Sequence, residues 1–404
     1  MNDFLARPFL LQNSIQHYPW GERGKQAYIP RLLDLDVESD ATPCAELWIG
    51  THPSAPSKVV MDAGEDMLLS ELIRKYPAEI LGPSVQNAFN GQLPFLLKVL
   101  SAREILSIQM HPNKEQALEL HNQDPKNYPD TNHKPEIAIA LDSLTALVGM
   151  IDDQEISTVM KLYPELRTVT EHDQNPGQTA EAAFKILLQT AEQNQPAIAA
   201  VIESIRQRLL RKSAFFHLRK EKLILEYAAQ YPGDVGLLTI FLLKLYTFAR
   251  NQAVFTPPNI PHAYVKGNII ECMASSDNVV RVGLTNKYKD IKSLLDILDA
   301  RQKPRIFQRG LNFFKQTYSA PASEYRVTRL LLLTGQKTAD RGNGSLRIFI
   351  VTKGTLQLEW QAENGTTSFE LNKGQSALVP AILDQLVIRS SGMSECFRVE
   401  VPTE

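Results

Sequence analysis

One internal tract, residues 152–250, interrupts an otherwise strand-like chain with helical patterning, and that interruption limits the folds available. Short strand-like runs dominate residues 1–60 and 92–150, among them 57–60, 93–100 and 137–141. Between them, 66–76 reads as an amphipathic helix with Met67, Leu68, Leu72 and Ile73 on one side, and a second short helix starts near Pro112-Asn113-Lys114. Inside the tract, 179–193, 197–210 and 214–230 repeat apolar residues at helical spacing, punctuated by Pro176-Gly177 and Pro232-Gly233. The most apolar stretch, 235–249, is too short to span a bilayer and carries Lys244, so a buried helix is expected there.

Strand texture returns at Gln252 and is the only texture after about residue 320. There, 348–351 leads to the turn Lys353-Gly354. Leu356, Leu358 and Trp360 then alternate with polar residues, Asn364-Gly365 signals a hairpin, and Lys373-Gly374 marks a further turn before 377–380. Short strands at this spacing predict a small antiparallel jelly-roll barrel. The expected fold is mainly β with an α-helical insertion. Residues 1–151 and 251–319 form one discontinuous domain, 152–250 a helical domain, and 320–404 a smaller C-terminal barrel.

The charge balance, 43 basic against 45 acidic side chains for a net −2, points to neither nucleic acid nor an anionic membrane as partner. Cys44, Cys272 and Cys396 lie far apart and form neither a disulfide framework nor a CxxC pair, as expected in a reducing compartment. The first seven residues carry an acid where a signal peptide has bases and lack a sustained apolar core. A cytoplasmic monomer is expected.

Chemistry first shows in Leu106-Ser107-Ile108-Gln109-Met110-His111. Strand alternation puts Ser107, Gln109 and His111 on one side and the apolar residues on the other. Burying those polar groups unpartnered would cost about 1–3 kcal/mol each. A metal with a hydroxylated ligand is therefore the natural occupant of that side. In Asn132-His133-Lys134-Pro135-Glu136, an extended backbone points Lys134 and Glu136 one way and His133 the other; Glu136 is a third donor or a surface acid. Lys98 interrupts an apolar strand, where lysine goes only when paired. It is either an internal ion-pair partner or the receiver of an anionic substrate. In 46–52, alternation places Glu46, Trp48 and His52 on one face. His262 follows a proline-rich loop; beyond it Asp277 adds an acid, and Arg281 and Lys287 are surface salt-bridge formers or the two charges a sugar phosphate would use. There is no phosphate-binding glycine loop, dinucleotide fingerprint or Gly-x-Ser-x-Gly elbow, which disfavours nucleotide-dependent and serine-hydrolase chemistry.

Taken in order, these segments resemble the type I phosphomannose isomerases, zinc enzymes of the cupin superfamily. The resemblance runs through Gln12 to Gly21, Ala45 to Gly50, Leu93 to Leu100, Leu106 to Lys114, Asn132 to Glu136, Pro261 to Tyr264 and Ser276 to Tyr288, most of 1–150 and 250–292. Val282 and Asn286 depart from the family pattern near Lys287. The resemblance implies cupin barrels and one Zn2+ per chain on Gln109, His111, Glu136 and His262. It also implies reversible conversion of mannose 6-phosphate and fructose 6-phosphate by proton transfer between C1 and C2 through a cis-enediol or enediolate. Such a reaction serves mannose breakdown and the supply of GDP-mannose alike.

Within that reading, Arg281 stabilises the enediolate. Glu271 and Lys134 are the candidate proton shuttles, with His52 and Asp277 behind them. Ser107, Lys98 and Lys287 are candidates for the phosphate, Trp20 and Tyr264 for the pocket walls, and Glu46 and Asp277 for further substrate contacts. The C-terminal barrel, which lacks histidine, is expected to be structural. Two alternatives remain: another metal-dependent cupin enzyme, an oxygenase or epimerase, and a non-catalytic sugar-phosphate sensor.

Overall fold

The computed structural model describes residues 6–36, 42–61, 64–362 and 365–403. The start of the chain and Asn364 of the hairpin signal lie outside the described residues, although Ala362 and Gly365 pair where that hairpin is expected.

An eleven-stranded antiparallel sheet forms the first half of the fold. The long strand His262–Ala274 runs through it and pairs with Phe95–Ala102, Glu136–Ala140, Leu144–Met150 and, at His262, with Ile108–Met110. Alternation in Phe95–Ala102 separates two environments. Phe95, Leu97 and Val99 join a core with Ile348, Ile350 and Phe397 of the C-terminal sheet, while Lys98 occupies the opposite face. One face of this sheet is thus buried against the other half of the protein, and the other face is left for chemistry.

The second half is a two-sheet sandwich. An eight-stranded sheet and the four-stranded sheet enclose a core that includes Phe349, Leu358, Trp360 and Ile388. Three strands of the eight-stranded sheet come from early in the chain: Phe9–Gln12, Lys58–Val59 and Met67–Leu68, the first pairing with Ser376–Val379. Met67 and Leu68, expected in a helix, are a short strand that leads into the helix Leu69–Lys75.

The helical tract contains Asp153–Leu162, Ala180–Gln193, Gln195–Leu210, Arg219–Tyr227 and Gly236–Leu242. The expected single helix over 235–249 is corrected. After Leu242 the chain becomes the strand Leu243–Phe248, paired with Leu144–Met150. Both states bury apolar side chains, and the β-branched and aromatic content of 243–248 suits a sheet edge already present beside it.

The helical core includes Ile108, Met110, Val280 and Val282, so the helices back the strands that carry Gln109 and Arg281. Burying each such side chain contributes about 1.5–3 kcal/mol. No helix among the described residues is long and apolar enough to cross a membrane.

Candidate metal centre and active site

Three strands bring one row of polar side chains together. Gln109 stands opposite His262 on one side and opposite Arg281 on the other, and directly opposed residues share a face. His111 follows Gln109, and Glu136 opens the strand Glu136–Ala140. Their free atoms converge: His111 Nε2 lies 3.3 Å from Glu136 Oε1, and His262 Nε2 lies 3.3 Å from Glu136 Oε2. The three donor atoms lie within 4.8 Å of one another, and all three residues are buried.

The imidazoles are oriented from behind. His111 Nδ1 hydrogen-bonds the Asn278 carbonyl at 2.8 Å, and His262 Nδ1 the Ile260 carbonyl at 3.0 Å. With Nδ1–H donating, each Nε2 presents its lone pair to the cluster. His111 Nε2, His262 Nε2 and Glu136 Oε2 are buried without a hydrogen-bond partner. Such orphaned donors are costly unless a cation satisfies them, and two imidazoles, a carboxylate and the amide of Gln109 suit zinc. Burial depresses the His111 pKa to about 4 despite the neighbouring Glu136 charge, which keeps the imidazole in its ligating form. Ser107 donates to Gln109 Oε1 at 3.4 Å, consistent with the shared face read from alternation.

A second constellation spans the neighbouring strands. Lys98 Nζ lies 3.1 Å from Glu271 and 3.4 Å from Glu46. Burial alone would lower its pKa, but the two carboxylates hold it well above the usual lysine value. Its charge is therefore already answered inside the protein, the ion-pair alternative for this residue. Glu46 also accepts from Trp48 Nε1 at 2.5 Å, and Lys98 lies 5.4 Å from the Trp48 ring centre. The Glu271 pKa is raised by burial and by the Glu136 charge, with Lys98 opposing. Tyr264 is buried, and burial together with Glu271 and Glu136 drives its pKa far up. Trp20 packs against the cluster that contains Tyr264.

His262, Tyr264 and Glu271 share one strand yet differ in parity, so an unbroken strand would turn Glu271 away from the other two. The break is visible in the register. Thr145 faces Lys266 while Ala146 faces Tyr264, an extra residue on one side that reverses the alternation. Gly267 follows with φ +135°, and a Cβ there would lie 2.3 Å from the Ser143 carbonyl oxygen.

The remaining predicted residues flank this core. Lys134 Nζ lies 3.5 Å from Glu136, while His133 turns away to Glu324 of the C-terminal half at 2.7 Å. His52 Nε2 donates to Asp277 at 2.9 Å, and its Nδ1 accepts from Ser54. This hydrogen bond, before burial, sets the Asp277 pKa, and the net shift is downward. A cavity of about 980 Å³ borders His52 and Asp277 but none of the metal-facing residues. Arg281 is half-buried, and its side chain forms no ion pair among the described residues; burial lowers its pKa. Burial and the Arg281 cation lower that of Lys287, whose Nζ lies 6.0 Å from the Tyr18 ring centre.

Several supporting residues are not singled out by local sequence pattern. Asp130 holds the 276–278 loop, accepting from Ser276 Oγ at 2.9 Å and from the Asp277 backbone at 2.7 Å. Asn278 then offers His111 its carbonyl. The available signal is the cluster of small polar residues at 275–278, which is the composition of a hydrogen-bonded loop.

A buried two-histidine, one-carboxylate cluster on an antiparallel sheet is the arrangement of a metal-binding β protein of the cupin type. The catalytic-domain model of type I phosphomannose isomerase matches residues 9–151. Mannose-6-phosphate isomerase of Pan troglodytes is 34% identical over 379 residues, 87% of this chain and 88% of that protein. Mannose-6-phosphate isomerase 2 of Arabidopsis thaliana is 32% identical over 415 residues, 96% and 92% of the two chains. A crystal structure of a variant phosphomannose isomerase from Salmonella typhimurium is similar with TM-score 0.85 and 28% identity, covering 98% of this chain and 100% of that one. A mannose 6-phosphate isomerase structure with bound zinc and yttrium is similar at TM-score 0.83, again with 28% identity and the same coverage. The chain belongs to the type I mannose-6-phosphate isomerase family.

Proposed function

We propose that this protein interconverts D-mannose 6-phosphate and D-fructose 6-phosphate by moving a proton between C1 and C2 of the open-chain sugar through a cis-enediol or enediolate. The observation that carries this reading is the convergence of His111, Glu136 and His262 on one sheet face together with the cation Arg281 in register beside Gln109.

Gln109, His111, Glu136 and His262 are the residues that would hold zinc. When bound there, zinc supplies Lewis-acid polarisation of the sugar oxygens without redox chemistry. Glu271 is favoured as proton shuttle, because its raised pKa brings a carboxyl towards the range where it both accepts and returns a proton. Lys134, the other candidate, has its ammonium engaged with Glu136. Arg281 stabilises the enediolate, and Arg281 with Lys287 gives two neighbouring cations with no ion-pair partner among the described residues, as an anionic substrate requires. Ser107 orients Gln109 and reaches for the phosphate, Lys98 and Glu46 fix Glu271, Asp277 contacts substrate hydroxyls, and Trp20 and Tyr264 wall the pocket.

The proposed division keeps 1–151 with 251–319 as catalytic domain, 152–250 as helical domain and 320–404 as C-terminal barrel, with Phe9–Gln12, Lys58–Val59 and Met67–Leu68 lent to the C-terminal sheet and Leu243–Phe248 to the catalytic one. The protein is proposed to act as a monomer in the cytoplasm, in keeping with its three buried free cysteines.

The test is a coupled assay on mannose 6-phosphate before chelation, after it, and after zinc is restored. Activity lost and regained with zinc supports the isomerase. Binding without turnover in the zinc-loaded protein overturns it in favour of a sensor, and stoichiometric iron with oxygen consumption in favour of an oxygenase.

A further inference from the structure

The helical tract and the active-site sheet approach backbone to backbone at Gly236 and Gly283. Asp234 precedes the helix Gly236–Leu242 and is almost buried, with 8% of its side chain exposed. Its Oδ1 accepts from the Gly236 backbone at 2.8 Å and from the Leu284 backbone at 2.9 Å, and its Oδ2 lies 2.9 Å from Lys289 Nζ. One carboxylate thus joins the helical tract to the segment that leaves the strand Val280–Gly283.

Two further features show that this segment is held in a conformation it would not choose alone. Leu284 has φ +55°, a left-handed backbone that costs a branched residue about 1–3 kcal/mol unless its surroundings impose it. The backbones of Gly283 and Gly236 also meet directly. A Cβ on Gly283 would lie 2.3 Å from Asp234 Oδ1 and 2.6 Å from Gly236, so no other residue fits. The leucine side chain is buried in the helical core, and Val280 and Val282 go with it.

Leu284 stands midway between Arg281 and Lys287, three residues from each. The left-handed turn at Leu284 redirects the chain after Arg281, and the direction it takes decides where Lys287 arrives. Two cations this close repel, so their joint presentation needs an external restraint. Asp234 is placed to supply it.

We propose that Asp234 is a positioning residue: from the helical tract, its carboxylate fixes the 283–289 segment so that Arg281 and Lys287 address one bound sugar phosphate together, Arg281 at its reacting oxygens and Lys287 at its phosphate. This rests on the reading of those two cations as substrate contacts. The helical tract is then part of the catalytic apparatus, acting through a residue that touches no substrate.

The test compares Asp234→Ala, Asp234→Asn, Gly283→Ala and Lys289→Ala with Arg281→Ala in the zinc-loaded full chain. It measures kcat, KM, the inhibition constant of inorganic phosphate, zinc content and the thermal midpoint. Misplacing catalytic groups by an ångström costs up to about 10²-fold. Asp234→Ala is expected to lose kcat/KM by about that factor and to weaken phosphate inhibition in parallel, with zinc content unchanged. Asp234→Asn keeps an oxygen for both backbone donors and should retain most activity. Gly283→Ala, which pushes the same contact apart from the other side, should reproduce the Asp234→Ala kinetics. Because a Cβ at 283 would overlap Gly236, Lys289→Ala, which removes only the ion pair at Oδ2, is the deciding variant if neither folds. Weakened phosphate inhibition in Lys289→Ala then supports the inference, and wild-type KM and inhibition overturn it. If Asp234→Ala and Gly283→Ala lower the thermal midpoint while KM and phosphate inhibition stay at wild type, the inference is overturned and the contact is only structural. If Arg281→Ala itself turns over normally, the reading of the cations fails, a distinct result.

Discussion

Lys98 and Glu271 stand directly opposite each other on adjacent strands, with Nζ 3.1 Å from the carboxylate. Burial and Glu136 push the Glu271 pKa up, and Lys98 is the first of the groups that pull it down. Replacing Lys98 by methionine therefore raises that pKa further, and the carboxylate form needed to accept a proton appears only at higher pH. The acid limb of kcat/KM should move alkaline in Lys98→Met, and an unmoved limb would remove Glu271 from the shuttle role. Leaving Glu46 and Glu271 buried without their cation should also cost about 3–5 kcal/mol in denaturant unfolding.

His111 gives the metal-free protein a pH signature. Its folded pKa is about 4 against an ordinary 6.5, so the unfolded chain binds the proton more readily. Stability from this group is complete above pH 6.5 and is lost as the pH falls towards 4. Unfolding of the chelated protein across that window should show the slope, and His111→Gln should flatten it. Zinc added to wild type should raise the melting temperature, by an amount that grows with its free concentration. His111→Gln should not respond in that way.

Arg281→Ala should lower kcat by about 10²–10³-fold, the usual cost of losing a charge contact made in the transition state. Lys287→Ala should act mainly on KM and on inhibition by inorganic phosphate, because the phosphate is present in ground and transition state alike. Equal effects of both variants on KM alone would reassign Arg281 to simple binding.

The parts of the site legible in sequence are those written in local patterns. Alternation around Gln109 and His111, the reversed orientation of His133 and Lys134, and a lysine inside 93–100 are each visible within a few residues. Non-local relations left no such trace. Nothing near Phe9–Gln12 indicates a partner strand at Ser376–Val379, because a strand encodes its faces but not its neighbour. The stretch 235–249 failed for a related reason: a predominantly apolar run suits helix and strand equally, and the edge of Leu144–Met150 decides at Leu243. The carboxylate of Asp234 and the left-handed Leu284 are invisible locally, since a strained backbone is imposed by contacts and not by its own residue type.

Gly267 tests whether the offset in the central strand is what assembles the site. The register shift before it lets His262 and Glu271 share the interior, and its φ of +135° with Ser143 pressed against it admits no side chain. Gly267→Ala should destabilise the fold by at least the about 1–3 kcal/mol of such backbone strain. If the strand instead relaxes to regular alternation, His262 or Glu271 must leave the interior, because the period of two allows only one of them to stay. Zinc content and the pH profile distinguish the cases. Loss of zinc reports His262 displaced, whereas retained zinc with a lost acid limb reports Glu271 displaced. A Gly267→Ala protein with wild-type stability, zinc and kinetics would show that the offset does not depend on this glycine.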